Sequence, residues 1–335
     1  MTAFENYVSM AAQGHVFSGE EMSACIAALM QGDASADQAA SFLTSLSKRG
    51  ETAAEIAGAA RALRSFASTI AAPEGAIDCC GTGGDGSHTY NISTAVAFVA
   101  AACGVPMAKH GNRSASSKSG AADVLEKLGV NIDVPGEKLE RALAETNFCF
   151  LMAPAHHRAM RHVAEVRKSL GFRTIFNLLG PLANPAGTKK QLIGVFAPEW
   201  VVPVAEALNA LGTQKALVVH GEDGLDEISL SAPTRTAFVA NGTIAHRTLH
   251  AADFGLDPIS LDDIKGGDAS ENARALLALL NGEYSAYRSI VLANTAAVLN
   301  LHDGRPLTEG VASAAAAIDS GAALNVLNAY KEITA

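Results

Sequence analysis

The sequence predicts an α/β protein: a central, mostly parallel sheet flanked by helices, joined to a smaller all-helical domain. Three observations predict it. Residues 1–72 place their apolar positions at helical spacing only. From Ala71-Ala72-Pro73 onward, short apolar runs alternate with helical patterns in the manner of βα units. The chain has 335 residues, 49% hydrophobic and 18% charged, enough for more than one core.

In the N-terminal part, Ser18-x-x-Glu21 is a capping box, in which each side chain bonds the other residue's backbone N–H. Met22, Cys25, Ile26, Leu29 and Met30 follow at helical spacing until Gly32 stops the helix. Phe42, Leu43 and Leu46 mark a second helix ending at Gly50, and Thr52-x-x-Glu55 opens a third with Ile56, Leu63 and Phe66 on one face. Beyond the linker the candidate strands are Ala76 to Cys79, Val105 to Lys109, Phe148 to Met152, Gln191 to Phe196 and Ala216 to His220, with helices in the intervals. Asn241-Gly242 lies between Thr234–Val239 and Thr243–Leu249. A two-residue hairpin turn needs positive φ at both central positions, so this dipeptide predicts an antiparallel edge. The Ala- and Leu-rich C-terminal segment is read as helices packed on a sheet face.

The balance of 25 Lys plus Arg against 34 Asp plus Glu gives a net charge of -9. That disfavours nucleic acid as a partner and requires any anion site to be local. Five cysteines without a Cys-x-x-Cys pair indicate neither a disulfide framework nor a zinc site, and point to a reducing, cytoplasmic setting. No basic leader is followed by an apolar run and no stretch reaches the roughly 18 apolar residues of a spanning helix, so no membrane association is expected.

Two loops carry chemistry. Gly81-Thr82-Gly83-Gly84-Asp85-Gly86-Ser87-His88-Thr89-Tyr90-Asn91-Ile92-Ser93-Thr94 runs from a strand into a helix. Glycines let backbone N–H groups approach an anion, and the helix start adds free donors and partial positive charge. Gly81, Gly83 and Gly86 satisfy G-x-G-x-x-G, yet the next strand ends at Lys109 with no acid at the ribose-binding spacing; Ser87 stands where a Walker lysine would be. The second loop, Lys109 to Gly120, holds three cations, four serines and two glycines in twelve residues. Charge-assisted bonds to an anion contribute roughly 1.5–3 kcal/mol each. Two such loops suit a ligand with phosphates at two places. Asp226 and Glu227 follow a strand's C-terminal end, where α/β sheets bind ligands, although an acidic surface turn with Glu222 and Asp223 is the competing reading. His156 to Arg173 holds Arg158, Arg161, Arg167, Lys168 and Arg173 against Glu165 alone, with Met160, Val163 and Leu170 expected inward. Such charges usually form a solvated face, but one arginine could clamp a carboxylate in two-pronged geometry. His156 and His157 lack metal-site spacing and are assigned structural or substrate-lining roles.

The strings GTGGDGSHTYNIST (Gly81–Thr94), KHGNRSASSKSGAADVLEKLG (Lys109–Gly129), HHRAMRHVAEVRKSLGFRTIFNLLGPLANPA (His156–Ala186) and GEDGLDEIS (Gly221–Ser229) resemble the motifs of anthranilate phosphoribosyltransferases, in the same order. The resemblance implies the nucleoside phosphorylase/phosphoribosyltransferase-like fold. Its implied small domain comprises residues 1–72 plus about 165–186, and its large domain 73–164 plus 187–335. It also implies 5-phosphoribosyl 1-diphosphate (PRPP) held by Gly81, Gly84, Asp85, Thr89, Asn91, Ile92, Ser93 and Thr94 on one side. On the other would stand Lys109, His110, Gly111, Asn112, Arg113, Ser114, Ala115, Ser116 and Ser117. Mg2+ would sit on Ser93, Asp226 and Glu227, and anthranilate against Gly81, Asn112 and Arg167. No covalent catalytic residue is implied, and a homodimer is. Ala121 replaces the family's usual serine and Tyr90 its usual phenylalanine, so the contact of that serine is not carried over. Gly180-Pro181 and Asn184-Pro185 are expected to end the helical excursion and act as hinges. The rival readings are a pyrimidine nucleoside phosphorylase, opposed by the full Gly81–Thr94 loop and the Asp226-Glu227 pair, and a non-catalytic nucleic-acid binder on the same scaffold, opposed by the net charge of -9 and the intact loops.

Overall fold

A computed structural model describes residues 3–114 and 118–335. Four helices come first: α1 (Ala3–Ala12), α2 (Gly19–Gln31), α3 (Ala36–Arg49) and α4 (Ala53–Ser65). Capping boxes open α2, α3 and α4, at Ser18/Glu21, Ser35/Gln38 and Thr52/Glu55, and Gly32 closes α2 in the left-handed conformation. Glu55 does more than cap. Its fully buried carboxylate also accepts from the Phe17 N–H at 3.0 Å and from Arg49 Nη2 at 2.6 Å, tying the α1–α2 connection to α4.

The βα region then alternates β1 (Ile77–Gly81), α5 (Ile92–Ala102), β2 (Met107–Gly111), α6 (Ala121–Lys127), α7 (Gly136–Thr146) and β3 (Phe148–Met152). Three helices leave the sheet before it resumes: α8 (Ala153–His156), α9 (Arg161–Leu170) and α10 (Phe176–Leu182). The chain returns as β4 (Lys190–Gly194), α11 (Val201–Ala210), β5 (Lys215–Gly221), β6 (Thr234–Ala240) and β7 (Thr243–Leu249). It ends in α12 (Ala269–Leu280), α13 (Ala286–Asp303), α14 (Leu307–Asp319) and α15 (Ala322–Thr334).

The described residues form a seven-stranded sheet in the order β3-β2-β1-β4-β5-β6-β7. Its first five strands are parallel, while β6 and β7 are antiparallel and joined at Asn241-Gly242, with φ of 51° and 80°. One sheet face packs on α5, α13 and α15. The other, through Ile193, Val195, Ala216 and Val218, shares a single apolar cluster with α11, the N-terminal helices, Val163, Val166 and the α10 residues. One expectation needs correcting. Gly180-Pro181 does not end the helical excursion, because Pro181 lies inside α10, which continues to Leu182. Among the described residues no single helix is long and apolar enough to cross a membrane.

The strand order carries a functional consequence. Successive crossovers move outward from β1 to β2 and β3, and the next strand, β4, returns to the opposite side of β1. Loops leaving β1 and β4 therefore diverge, opening a crevice at the carboxyl ends of the strands.

Candidate active site

That crevice is part of a cleft of about 650 Å³, walled by the ends of β1 and β2, the first turns of α5 and α6, and the α8–α10 excursion. Gly81 and Gly194 sit opposite each other in the β1–β4 register. Both must be glycine: a Cβ on Gly194 would collide with the Asp226 backbone, and one on Gly81 with the Asp226 carboxylate. Asp226 is thus wedged into the crevice, where its Oδ2 accepts the Gly83 N–H at 2.8 Å. Glu227 Oε1 accepts the Ser93 N–H at 3.2 Å, one of the free donors in the first turn of α5.

The two carboxylates keep partial exposure to the cleft and are otherwise surrounded by protein. Burial and the neighbouring Asp85 push Asp226 up to about 7. Burial and Asp226 push Glu227 up to about 8. Two acids held so unfavourably await positive charge. Lys109, almost fully buried, supplies some from below, donating to the Cys79 carbonyl at 2.6 Å and to Ser93 Oγ at 3.0 Å. Among the described residues no three His, Cys, Asp or Glu side chains converge in a metal cage. Asp226, Glu227 and the Ser93 hydroxyl are hard oxygen donors, a set that fits a cation such as Mg2+, which takes one or two carboxylates and completes its shell with water and phosphate oxygens.

Of the residues expected around PRPP, Gly81, Gly84, Asp85, Thr89, Asn91, Ile92, Ser93, Lys109, His110, Gly111, Asn112, Arg113 and Ser114 line the cleft. Thr94 does not, being buried within the first turn of α5. Ala115, Ser116 and Ser117 lie outside the described residues. The Arg113 guanidinium is paired with Glu126 at 2.5 Å and Asp123 at 3.1 Å on α6. Counting cations within the loop alone overlooked those two acids one helix further on.

Facing the loops, α9 presents Arg167 to the cleft, stacked over the Phe176 ring at 5.2 Å. Val163 and Val166 are buried, and Met160 and Leu170 pack partly, so one face of α9 is inward as expected. Burial lowers the Arg167 pKa, and among the described residues no charge partner offsets it. His156 is structural, its Nδ1 2.6 Å from the Ser68 carbonyl. His157 and His110 line the cleft with ring centroids 5.2 Å apart, and burial holds both neutral, near 4 and 3. Arg173, which the sequence offered only as one basic residue among five, stacks on Phe196 at 4.1 Å and donates to the Gly84 carbonyl, reaching from the excursion to the glycine loop.

A polar network missed in the sequence lies beneath the cleft. Asp78, fully buried on β1, accepts from Asn184 Nδ2 at 2.8 Å and from the His110 N–H at 3.1 Å. Asn184 Nδ2 also donates to the Ala108 carbonyl at 2.8 Å, and Asn184 Oδ1 accepts the Ala186 N–H at 2.8 Å. Gln191 Nε2 donates to the Pro181 carbonyl at 2.7 Å, and His110 Nδ1 lies 3.0 Å from the Gly180 carbonyl. These bonds fasten the root of the α8–α10 excursion to β1, β2 and β4, the strands that bear the cleft.

The likeness to known proteins runs along nearly the whole chain. The profile of the "Glycosyl transferase family, a/b domain" matches residues 73–324, and that of the "Glycosyl transferase family, helical bundle domain" matches residues 6–67. The chain is 50% identical over 328 residues to an anthranilate phosphoribosyltransferase of Methylorubrum extorquens, covering 98% of this chain and 97% of the relative. The crystal structure of the Thermus thermophilus anthranilate phosphoribosyltransferase superposes with a TM-score of 0.93 at 44% identity, covering 98% and 99% of the two chains. The Saccharomyces cerevisiae enzyme in complex with PRPP and Mg does so at 0.90 and 30%, covering 99% and 97%.

Proposed function

This chain belongs to the anthranilate phosphoribosyltransferase family, and on that footing we propose that its cleft holds PRPP across the loops after β1 and β2, with anthranilate beside Arg167. The activity is transfer of the phosphoribosyl group of PRPP to the anthranilate amine, giving N-(5-phosphoribosyl)anthranilate and diphosphate, a pentosyltransferase step of tryptophan biosynthesis. One observation supports the site assignment above the others. A glycine loop, a second donor-rich loop, an acidic pair and a carboxylate-clamping arginine meet in one cleft, although their residues lie between positions 81 and 227 of the chain.

In this reading the neutral aryl amine forms a bond to the anomeric carbon while the bond from that carbon to the diphosphate oxygen breaks and its electrons leave with diphosphate. The alkylated amine then loses its extra proton, and because that species is acidic no side-chain base is required. The chain's work is placement and charge stabilisation. Backbone N–H groups of the Gly81–Ser93 loop and the Lys109 ammonium hold the anionic substrate. The Arg167 guanidinium fixes the acceptor carboxylate, with Asn112 and the Gly81 backbone beside it. Neutral His110 and His157 narrow the cleft around the ring without adding charge. Asp226, Glu227 and Ser93 would hold Mg2+, which when bound neutralises charge developing on diphosphate. A homodimer and a cytoplasmic location belong to the same proposal, and sedimentation velocity tests the first.

The direct experiment mixes purified protein with anthranilate, PRPP and magnesium and follows loss of anthranilate fluorescence with and without a chelator. Magnesium-dependent loss is expected. No loss in folded protein would overturn the substrate assignment and redirect attention to thymidine phosphorolysis.

A further inference from the structure

We propose that Asn272 is a positioning residue for PRPP: through one side-chain hydrogen bond it decides which end of the Asn91 amide faces the cleft. This rests on the substrate reading given above and adds a residue outside the cleft wall to it.

The inference follows from donor and acceptor logic along a short chain. An asparagine amide has one accepting and one donating end that are nearly the same shape, so an anchor of unambiguous polarity is needed to fix it. The Gly267 backbone N–H is such an anchor, because it can only donate, and it donates to Asn272 Oδ1 at 2.8 Å. Asn272 must therefore turn its Nδ2 the other way, and that group donates to Asn91 Oδ1 at 2.8 Å. With its oxygen occupied, Asn91 is left with its N–H end toward the two ligand loops, where Nδ2 reaches the Ser119 carbonyl at 3.4 Å. Asn272 itself is only 2% exposed, so its amide has little solvent to turn toward.

The surrounding chain is built for this contact. A Cβ on Gly266 would lie 2.7 Å from Asn272 Oδ1 and 2.8 Å from the Thr89 carbonyl, so the bend needs a bare backbone. The first ligand loop is held against the same bend by the Gly266 N–H to the His88 carbonyl at 2.8 Å and the Tyr90 N–H to the Ile264 carbonyl at 2.9 Å. Tyr287, its ring tilted against that of Tyr90 at 4.7 Å, donates its hydroxyl to the Asn91 backbone carbonyl at 3.0 Å. Main chain and side chain of Asn91 are thus set from behind by α13 and α12. A polyanionic ligand needs the donating end of Asn91; the accepting end would repel it.

Steady-state kinetics of Asn272→Ala and Asn272→Asp test this. Alanine removes the constraint and lets the Asn91 amide turn freely, whereas aspartate keeps the Gly267 bond but offers Asn91 an acceptor, forcing its carbonyl toward the substrate. The expected rise in PRPP KM is roughly 3-fold for alanine and roughly 10-fold or more for aspartate, with anthranilate KM changed less than about 2-fold. A merely structural role predicts the reverse order, since aspartate has the shape of asparagine. Because aspartate also adds charge, both changes are repeated in Asn91→Ala. There the two should become equal within about 2-fold; a difference that persists would make the effect long-range charge and overturn the proposal. If Asn272→Asp does not fold by circular dichroism, Asn272→Ala decides alone. A selective rise in PRPP KM supports the role, and equal movement of both KM values overturns it. A folded wild-type chain that consumes neither substrate would overturn the proposed function first, and this inference with it.

Discussion

Asn184→Ala is the sharpest probe of how the cleft is held together. The change removes a charge-assisted bond to the buried Asp78 carboxylate, a bond to the Ala108 carbonyl and a bond from the Ala186 N–H, each at 2.8 Å. The first contributes about 1.5–3 kcal/mol and the neutral ones about 0.5–1.5 kcal/mol each, so the expected loss is about 2.5–6 kcal/mol. For a chain of this size, with an unfolding entropy near 2.1 cal/mol/K per residue, that lowers Tm by about 4–9 °C. Differential scanning calorimetry reads the shift, and the intrinsic fluorescence of Trp200, the sole tryptophan, follows the same transition. The decisive comparison repeats Asn184→Ala in Asp78→Asn. With no charge left to strand, the loss should shrink by about 1–2 kcal/mol. A shift below about 2 °C, or an equal shift in both backgrounds, would refute the view that this network fastens the excursion to the sheet.

Other perturbations read other parts of the site. Gly194→Ala should lower stability by at least about 3 kcal/mol and abolish turnover, because the added methyl displaces the Asp226 backbone; Gly180→Ala, whose methyl meets nothing within 4 Å, should leave Tm equal or higher. With chelator present, Asp226 and Glu227 have folded-state pKa values of about 7 and about 8, above the ordinary 3.8 and 4.5. The folded state therefore holds more protons between about pH 4 and pH 8, and stability falls as pH rises through that window. Allowing for water in the cleft, each acid accounts for on the order of 2 kcal/mol at pH 8. The double change Asp226→Asn/Glu227→Gln should flatten this slope in a Tm-versus-pH series while removing magnesium-dependent activity. Arg173→Ala should raise PRPP KM about 3–10-fold with little change in anthranilate KM, since it frees the Gly84 segment from the Phe196 stack.

The fold was legible because its signals are local. Capping boxes and αL glycines mark helix ends, and seven apolar runs became seven strands with ends displaced by two residues or fewer. The Asn241-Gly242 turn supplied the antiparallel edge. The site was legible wherever residue type and chain position suffice: glycines after β1, donors after β2, acids after β5. What stayed hidden depends on pairing across long sequence separations. Asp78 reads as a strand residue until Asn184, 106 positions later, is seen to donate to it. Asn272 and Tyr287 are 181 and 196 positions from the asparagine they orient. Arg113 differs from these, its partners Asp123 and Glu126 standing only 10 and 13 positions on, in the next helix.

The β6–β7 hairpin also decides what the sheet presents at this edge. A sheet that ended at β5 would offer an open row of N–H and C=O groups beside Leu217, Val218 and Val219, a template for any passing strand. The hairpin moves the open edge outward to β7, where Thr243, His246, Arg247 and Thr248 are exposed and Arg247 is paired with Asp253. A strand arriving there finds polar and charged side chains and no apolar face to share. Pairing β1 with β4 joins positions 113 apart at Ile77 and Lys190, a separation of the kind that slows folding, and a polar edge offers partly folded chains little apolar surface to share.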